Sequence, residues 1–142
     1  MPEQTQTIEA LRKLFSELAE HNGSRILQVG KLCGIASGLD ELECRADLES
    51  RLHVIVNGVE VFVCTFRHGK SDFRNLLAVM HGFSKQFVDG SSPAELSPYK
   101  LNCVIKSPAN GDAVRLETVN TGSEQRFRFS KVQPDIRDAT NA

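Results

Sequence analysis

The stretch HVIVNGVEVFV, residues 53–63, contains an Asn-Gly pair between two runs in which apolar residues occupy alternate positions. This pattern predicts a β-hairpin with a two-residue type I′ turn, because both turn positions need positive φ and Asn and Gly tolerate it. One face of the hairpin is then wholly aliphatic, and we expect it to be core. In the predicted register Leu52, Val54 and Val56 lie opposite Val63, Val61 and Val59.

The other face of the predicted hairpin is mixed in character. It carries Arg51, His53, Ile55, Glu60, Phe62, Cys64 and Phe66. We expect a helix or a partner to cover this face, because its aromatic and aliphatic side chains would otherwise be exposed. A partner interface is therefore predicted at Arg51, His53, Ile55, Phe62 and Phe66.

Elements on both sides of the hairpin predict an α+β fold. Apolar residues at three- and four-residue steps predict helices over about 7–21 and 72–88. Residues 26–33 are interpreted as a strand, and period-two alternation continues over 42–56; a helix over 39–49 is the second choice. Residues 25–50 could thus form one strand, two strands, or a strand and a short helix. Further strands are predicted at about 99–106, 113–119 and 125–132.

The predicted order is α-βββ-α-βββ, a single domain over 1–132 with an antiparallel sheet of about five to six strands packed against two helices. Ser92 to Glu95 reads as a capping box within a linker, and residues 133–142 read as a flexible tail. The length and the formal net charge of -1 are typical of one globular domain without general affinity for nucleic acid or anionic membranes.

No signal peptide or membrane-spanning run is expected, and the four widely spaced cysteines are expected to be reduced, so the predicted location is cytoplasmic.

The segment RHGKSD, residues 67–72, resembles the end of a phosphate-binding loop. A complete loop needs a glycine five residues before Gly69, where this chain has Cys64 in a predicted strand. The segment is therefore interpreted as a turn with Ser71 as the cap of the second helix. An anion site at the helix N-terminus, formed by Arg67, His68, Lys70 and Ser71, is the remaining alternative.

The C-terminal strands carry a second candidate site for anions or nucleic acid, formed by Arg115, Arg126 and Arg128. Phe127 and Phe129 alternate with two of these arginines, so we expect the aromatic rings on the opposite face, in the core. The competing interpretation is a solvated face on which Glu117 pairs with Arg126 or Arg128 across the strands.

Thiol and imidazole chemistry is a third possibility. In the predicted register His53 and Cys64 share a face, as a nucleophile with its base or as part of a zinc site would. No further Cys or His lies at ligand spacing, so buried cysteine is the default interpretation and no metal or cofactor is predicted. The acidic stretch LDELECRADLE, residues 39–49, is interpreted as a solvated face.

The predicted element order resembles that of the small dimeric chaperones of bacterial type III secretion, and of some phage and immunity proteins that cover a partner. The third helix that those chaperones carry is not predicted here. No convergent catalytic set is found in the sequence, and one hairpin face needs a cover. We therefore expect a small non-enzymatic protein-binding module, acting as an adaptor, chaperone-like protein or inhibitor and forming a homodimer. The alternative is a nucleic-acid or phosphate-binding protein.

Overall fold

A computed structural model describes residues 2–20, 25–67, 69–87, 100–108, 110–121 and 124–132. The elements are α1 (Pro2–Glu20), α2 (Arg25–Ala36), β1 (Glu41–Ala46), β2 (Arg51–Val56), β3 (Val59–Thr65), α3 (Lys70–Phe87), β4 (Asn102–Lys106), β5 (Ala113–Thr121) and β6 (Glu124–Lys131). The predicted capping box at 92–95 and the predicted tail at 133–142 lie outside the described residues.

The strands form one antiparallel sheet of six in the order β3-β2-β1-β6-β5-β4. The α+β prediction is confirmed. The first and last strands in the chain pair at the centre of the sheet, from Glu41 opposite Ser130 to Ala46 opposite Gln125. Consequently β3 and β4 are the two edges, and β3 belongs to the predicted hairpin.

Residues 25–36 form a helix, so the prediction of a strand at 26–33 is wrong. The buried side chains of this segment, Val29, Leu32, Cys33 and Ala36, recur at helical spacing. A short apolar run suits a strand or a buried helix equally, and here packing against α1 and α3 decides. Gly30 lets α2 lie close to Phe83 of α3 and to Pro108, because a Cβ at this position would lie only 3.3 Å from the ring of Pro108 and 3.4 Å from the ring of Phe83.

All three helices contribute to a single core on one side of the sheet, which we call the inner face. Phe73 of α3 stacks on Phe127 of β6, with 6.0 Å between ring centroids. Phe15 of α1 meets Phe62 of β3 edge-on at 6.3 Å. Phe127 and Phe129 are fully buried, as predicted. The opposite side of the sheet, which we call the outer face, carries the charged side chains of the central strands. None of the described helices is both long and apolar enough to cross a bilayer.

The hairpin turn is confirmed, because Asn57 and Gly58 have φ values of 50° and 84°. Val56 pairs with Val59 as predicted, but the register then shifts by one residue. Val54 lies opposite Phe62 instead of Val61, so β3 contains a β-bulge.

The shift moves every later side chain of β3 to the other face. Phe62 is therefore buried at 9% exposure, whereas Val63 is 42% exposed. The predicted aliphatic core face is wrong for Val59 and Val63, and the predicted outer position of Phe62 is wrong too.

Candidate protein-binding groove

A groove of about 630 Å³ lies beside the edge strand β3, between α1 and the start of α3. We call it the β3 groove. Its lining residues are Arg12, Phe15, Ser16, Leu18, Leu52, Phe62, Val63, Cys64, Thr65, Phe66, Arg67 and Leu76. The groove thus combines one face of a helix with the open edge of a sheet.

The apolar floor of the groove follows from the stripe on α1. Leu11, Leu14, Phe15 and Leu18 recur at helical steps and are buried. Phe15 and Leu18 reach the groove at the border of the core, where Phe62 meets them from β3. Ser16 is exposed and lies beside this floor. The groove therefore has an apolar base with a small polar side chain at its rim.

The backbone of β3 faces the groove at alternate residues. The N–H of Phe66 donates to the carbonyl oxygen of Ser50 at 2.9 Å, so Phe66 bonds toward β2. Backbone groups alternate in direction along an antiparallel strand, which turns those of Val63 and Thr65 away from β2. Both residues line the groove. An edge strand with outward N–H and C=O groups is a template for pairing with another chain.

The groove is electropositive. The guanidinium of Arg12 lies 5.4 Å from the centre of the Phe62 ring, in a cation–π contact. Arg67 lies at the other end of β3 and is exposed. Among the described residues that line the groove, none is acidic. Arg12 also forms an ion pair with Glu9 on the exposed surface of α1, with 3.7 Å between Nη1 and Oε1.

The sequence interpretation missed the α1 side of this groove, including Arg12, Ser16 and Leu18. The helical stripe was visible, but periodicity does not reveal which strand a helix covers. The bulge in β3, which brings Phe62 beneath α1, has no clear signal either, because apolar side chains occur on both faces of β3.

A second cluster lies on the outer face around His53. Its Nε2 lies 2.7 Å from Asp47 Oδ2, and its Nδ1 lies 2.5 Å from Glu60 Oε1. Each ring nitrogen of His53 thus faces a carboxylate oxygen. Asp47 also accepts from the backbone N–H groups of Glu49 and Arg51 and from Arg51 Nε. Burial alone would raise the pKa of Asp47, but these hydrogen bonds hold it well below its usual range.

The predicted partner-interface residues are divided between two faces. Arg51, His53 and Ile55 lie on the outer face, whereas Phe62 is in the core. Phe66 packs edge-on against Phe73 at 6.2 Å. The bulge is the physical reason for the division, because it reverses the side chains of β3 but not those of β2.

The proposed anion-binding residues do not converge either. Arg128 pairs with Glu117 across β5 and β6, with Nη2–Oε1 at 2.5 Å, which confirms the alternative interpretation for this pair. This hydrogen bond to Glu117 raises the pKa of Arg128, and burial, which opposes the charged form, has the smaller effect. Arg126 lies 3.7 Å from Glu43, and Arg115 donates to Asn102 at 3.3 Å. Carboxylates therefore neutralise much of this face.

The residues at the start of α3 lie on the inner side of the sheet, away from those arginines. Helix α3 begins at Lys70, so Ser71 lies in the first turn and is not the cap that was predicted. Gly69 precedes the helix with a φ of 66°, and its carbonyl accepts from Asp72. Ser71 is exposed. His68 and the side chain of Lys70 lie outside the described residues.

The predicted His53–Cys64 pair is not formed, because Cys64 lies opposite Leu52 and His53 lies opposite Val63. Burial raises the pKa of the Cys64 thiol, and it raises the pKa of Cys33 to about 12. Such thiols are poor nucleophiles at neutral pH. Within the described part of the chain, no three Cys, His, Asp or Glu side chains are grouped as a metal site would require.

No protein-family model matches this sequence, and comparison with curated proteins gives no match. The functional argument therefore depends on the geometry alone.

Proposed function

We propose that this protein is a non-enzymatic protein-binding module that docks its partner in the β3 groove. The observation that carries the proposal is the open groove, in which an apolar floor lies directly beside a strand edge that no other described strand pairs with. Apolar surface next to polar rim groups is typical of docking sites on proteins. The volume of about 630 Å³ suits a few side chains of a bound segment.

The placement of reactive side chains supports binding over catalysis. His53 is engaged by two carboxylates on the outer face, and Cys64 is on the inner side of the sheet with a raised pKa. The predicted nucleophile Cys64 and its predicted base His53 therefore lie on opposite faces of the sheet. A role as an adaptor, a chaperone-like protein or an inhibitor is consistent with this arrangement.

The test is to block the groove. Random-sequence peptides displayed on phage are selected on the immobilised wild-type protein, and recovered peptides are titrated by fluorescence anisotropy. Ser16→Trp fills the groove from an exposed position, and we expect it to weaken binding about tenfold or more. Lys13→Trp, also on exposed α1 surface but outside the groove, is the matched control. Equal binding to both variants, or no recovered peptide, would contradict the proposal.

The alternative function, binding of nucleic acid or phosphate through Arg115, Arg126 and Arg128, is less well supported because acids or an amide engage these side chains. It predicts affinity for a single-stranded oligonucleotide that falls steeply as salt rises. The predicted homodimer is checked by analytical ultracentrifugation of the wild type and of Ser16→Trp.

A further inference from the structure

We propose that the β3 groove binds an extended, acidic segment of a partner protein, which adds to the sheet as a further strand beside β3. This inference rests on the proposed function, because it names the chemistry of the occupant of the same groove. Three properties of the groove carry it: the direction of the β3 backbone, the arrangement of apolar side chains, and the charge of the lining residues.

The backbone of β3 supplies the pairing groups. β3 has β2 on one side and lies at the end of the described sheet. The main-chain groups of Val63 and Thr65 point to the open side, and both residues line the groove. An extended segment satisfies such groups with its own N–H and C=O groups, whereas a helix uses those groups internally.

The side chains above the strand edge suit an alternating sequence. Every second side chain of an added strand would project to the inner face, where Phe15, Leu18 and Leu76 line the groove. These residues and Phe62 form an apolar site for one or two inward side chains. The other side chains would lie beside exposed Val63 and Thr65, at the boundary with solvent. The partner segment thus needs apolar residues at alternate positions only.

The charge of the groove selects acidic neighbours for those residues. Arg12 of α1 and Arg67, which follows β3, both line the groove, and no described lining residue is acidic. The ion partner of Arg12, Glu9, lies outside the lining and is exposed. A carboxylate on the partner would pair with each cation and remain partly solvated, so the gain is mainly in specificity and association rate.

A second copy of the chain fits this charge less well than a different partner. In a two-fold symmetric contact the same surface meets itself, so the groove would face another Arg12 and Arg67. Like charges in that position oppose docking. The groove therefore favours a partner of opposite charge over self-association at this site.

The probes are synthetic peptides of about nine residues that alternate valine with glutamate, and the same peptides with lysine at each glutamate. We expect the acidic peptide to bind the wild-type protein at least about tenfold more tightly than the basic one. N-methylation of every second backbone N–H should abolish binding in one phase of the alternation and leave it in the other, because only one set faces β3.

Variants of the protein test the same strand edge. Val63→Pro removes an outward N–H at a position where an edge strand tolerates proline, and we expect at least about a tenfold loss of affinity. Val63→Thr keeps the N–H and is the matched control. Circular dichroism of both variants checks that the sheet is retained, and the N-methylated peptides test the pairing if Val63→Pro does not fold.

The possible failures are distinguishable. Peptides that Ser16→Trp blocks, but that ignore both N-methylation and Val63→Pro, would overturn strand addition and leave the groove function standing. Preference for the basic peptide would overturn the predicted acidic partner. A dimer that Ser16→Trp dissociates would make a second copy the occupant and overturn the inference. If neither these peptides nor those from phage selection bind, the proposed function fails as well.

Discussion

Strand β6 has two faces with different physical roles. Phe127 and Phe129 point to the inner face and are fully buried, while Arg126 and Arg128 point outward and remain about one-third exposed. Burial of two aromatic rings supplies most of the stabilisation that a strand can contribute. Partly exposed ion pairs such as Arg128–Glu117 contribute little, because water screens the charges and the side chains lose freedom. Neighbouring residues on one strand thus differ severalfold in their contribution to the free energy of unfolding.

The largest effect that would test this contrast is expected for Phe127→Ala. The ring stacks on Phe73 and its loss leaves a cavity at the centre of the sheet, so the free energy of unfolding should fall by about 3–5 kcal/mol. Arg128→Ala on the same strand is the matched control and should cost about 1 kcal/mol or less. Urea denaturation monitored by circular dichroism measures both. Similar losses in the two variants would contradict the contrast.

An intermediate effect is expected on β3, where the bulge reverses the predicted faces. Phe62→Ala should lower the free energy of unfolding by about 2–4 kcal/mol, because the ring packs beneath α1 and against Phe15. Val63→Ala should change it by less than about 0.5 kcal/mol, since Val63 is exposed. Urea denaturation of both variants measures these two losses. If Val63→Ala proved the more damaging, the unbulged register would be the correct one.

The smallest effect is expected for Asp47→Asn on the outer face, and it depends on pH. The pKa of Asp47 is lower in the folded protein than in the unfolded chain, so its contribution is present above the unfolded pKa of about 4 and is lost as pH falls. His53, Arg51, Glu49 and Glu60 are the charged groups of the same cluster.

Asp47→Asn should therefore lower the free energy of unfolding by about 1 kcal/mol at neutral pH and flatten the decline of stability as the pH falls below about 5. Thermal unfolding at a series of pH values measures this. Glu49→Gln, whose carboxyl is largely exposed, is the control and should retain the steep decline. If the stability of Asp47→Asn fell with pH as steeply as that of the wild type, other carboxyls would be the cause of the decline.

Much of the fold was predictable because hydrophobic period and turn chemistry act locally. The Asn57-Gly58 turn, the alternation over 42–46 and the helix near 72–88 all appear close to their predicted places. The strand predicted at 26–33 failed because a short apolar run does not distinguish a strand from a buried helix. Only the packing of residues 25–36 against α1 and α3 makes this segment a helix.

Less of the candidate site was predictable, because its parts are distant in sequence. Arg12 and Ser16 belong to α1, and Leu76 belongs to α3. Val63 lies within β3, and Arg67 follows it. Each has an ordinary local role, and none forms a motif with its neighbours. The predicted partner interface at 51–66 assumed one continuous face, and the bulge in β3 divides its residues between two faces. The predicted anion site on the C-terminal strands assumed free arginines, but carboxylates pair with Arg126 and Arg128.

The sequence by itself determined the class of fold, the hairpin turn, and the inward direction of Phe127 and Phe129, since each depends on residue spacing within one element. The tertiary structure decided the helical state of residues 25–36, the bulge that buries Phe62, the exposure of β3 as a sheet edge, and the groove beside it. These features depend on which elements meet, and the free energy of that packing is shared among residues too far apart in the chain for any local pattern to encode.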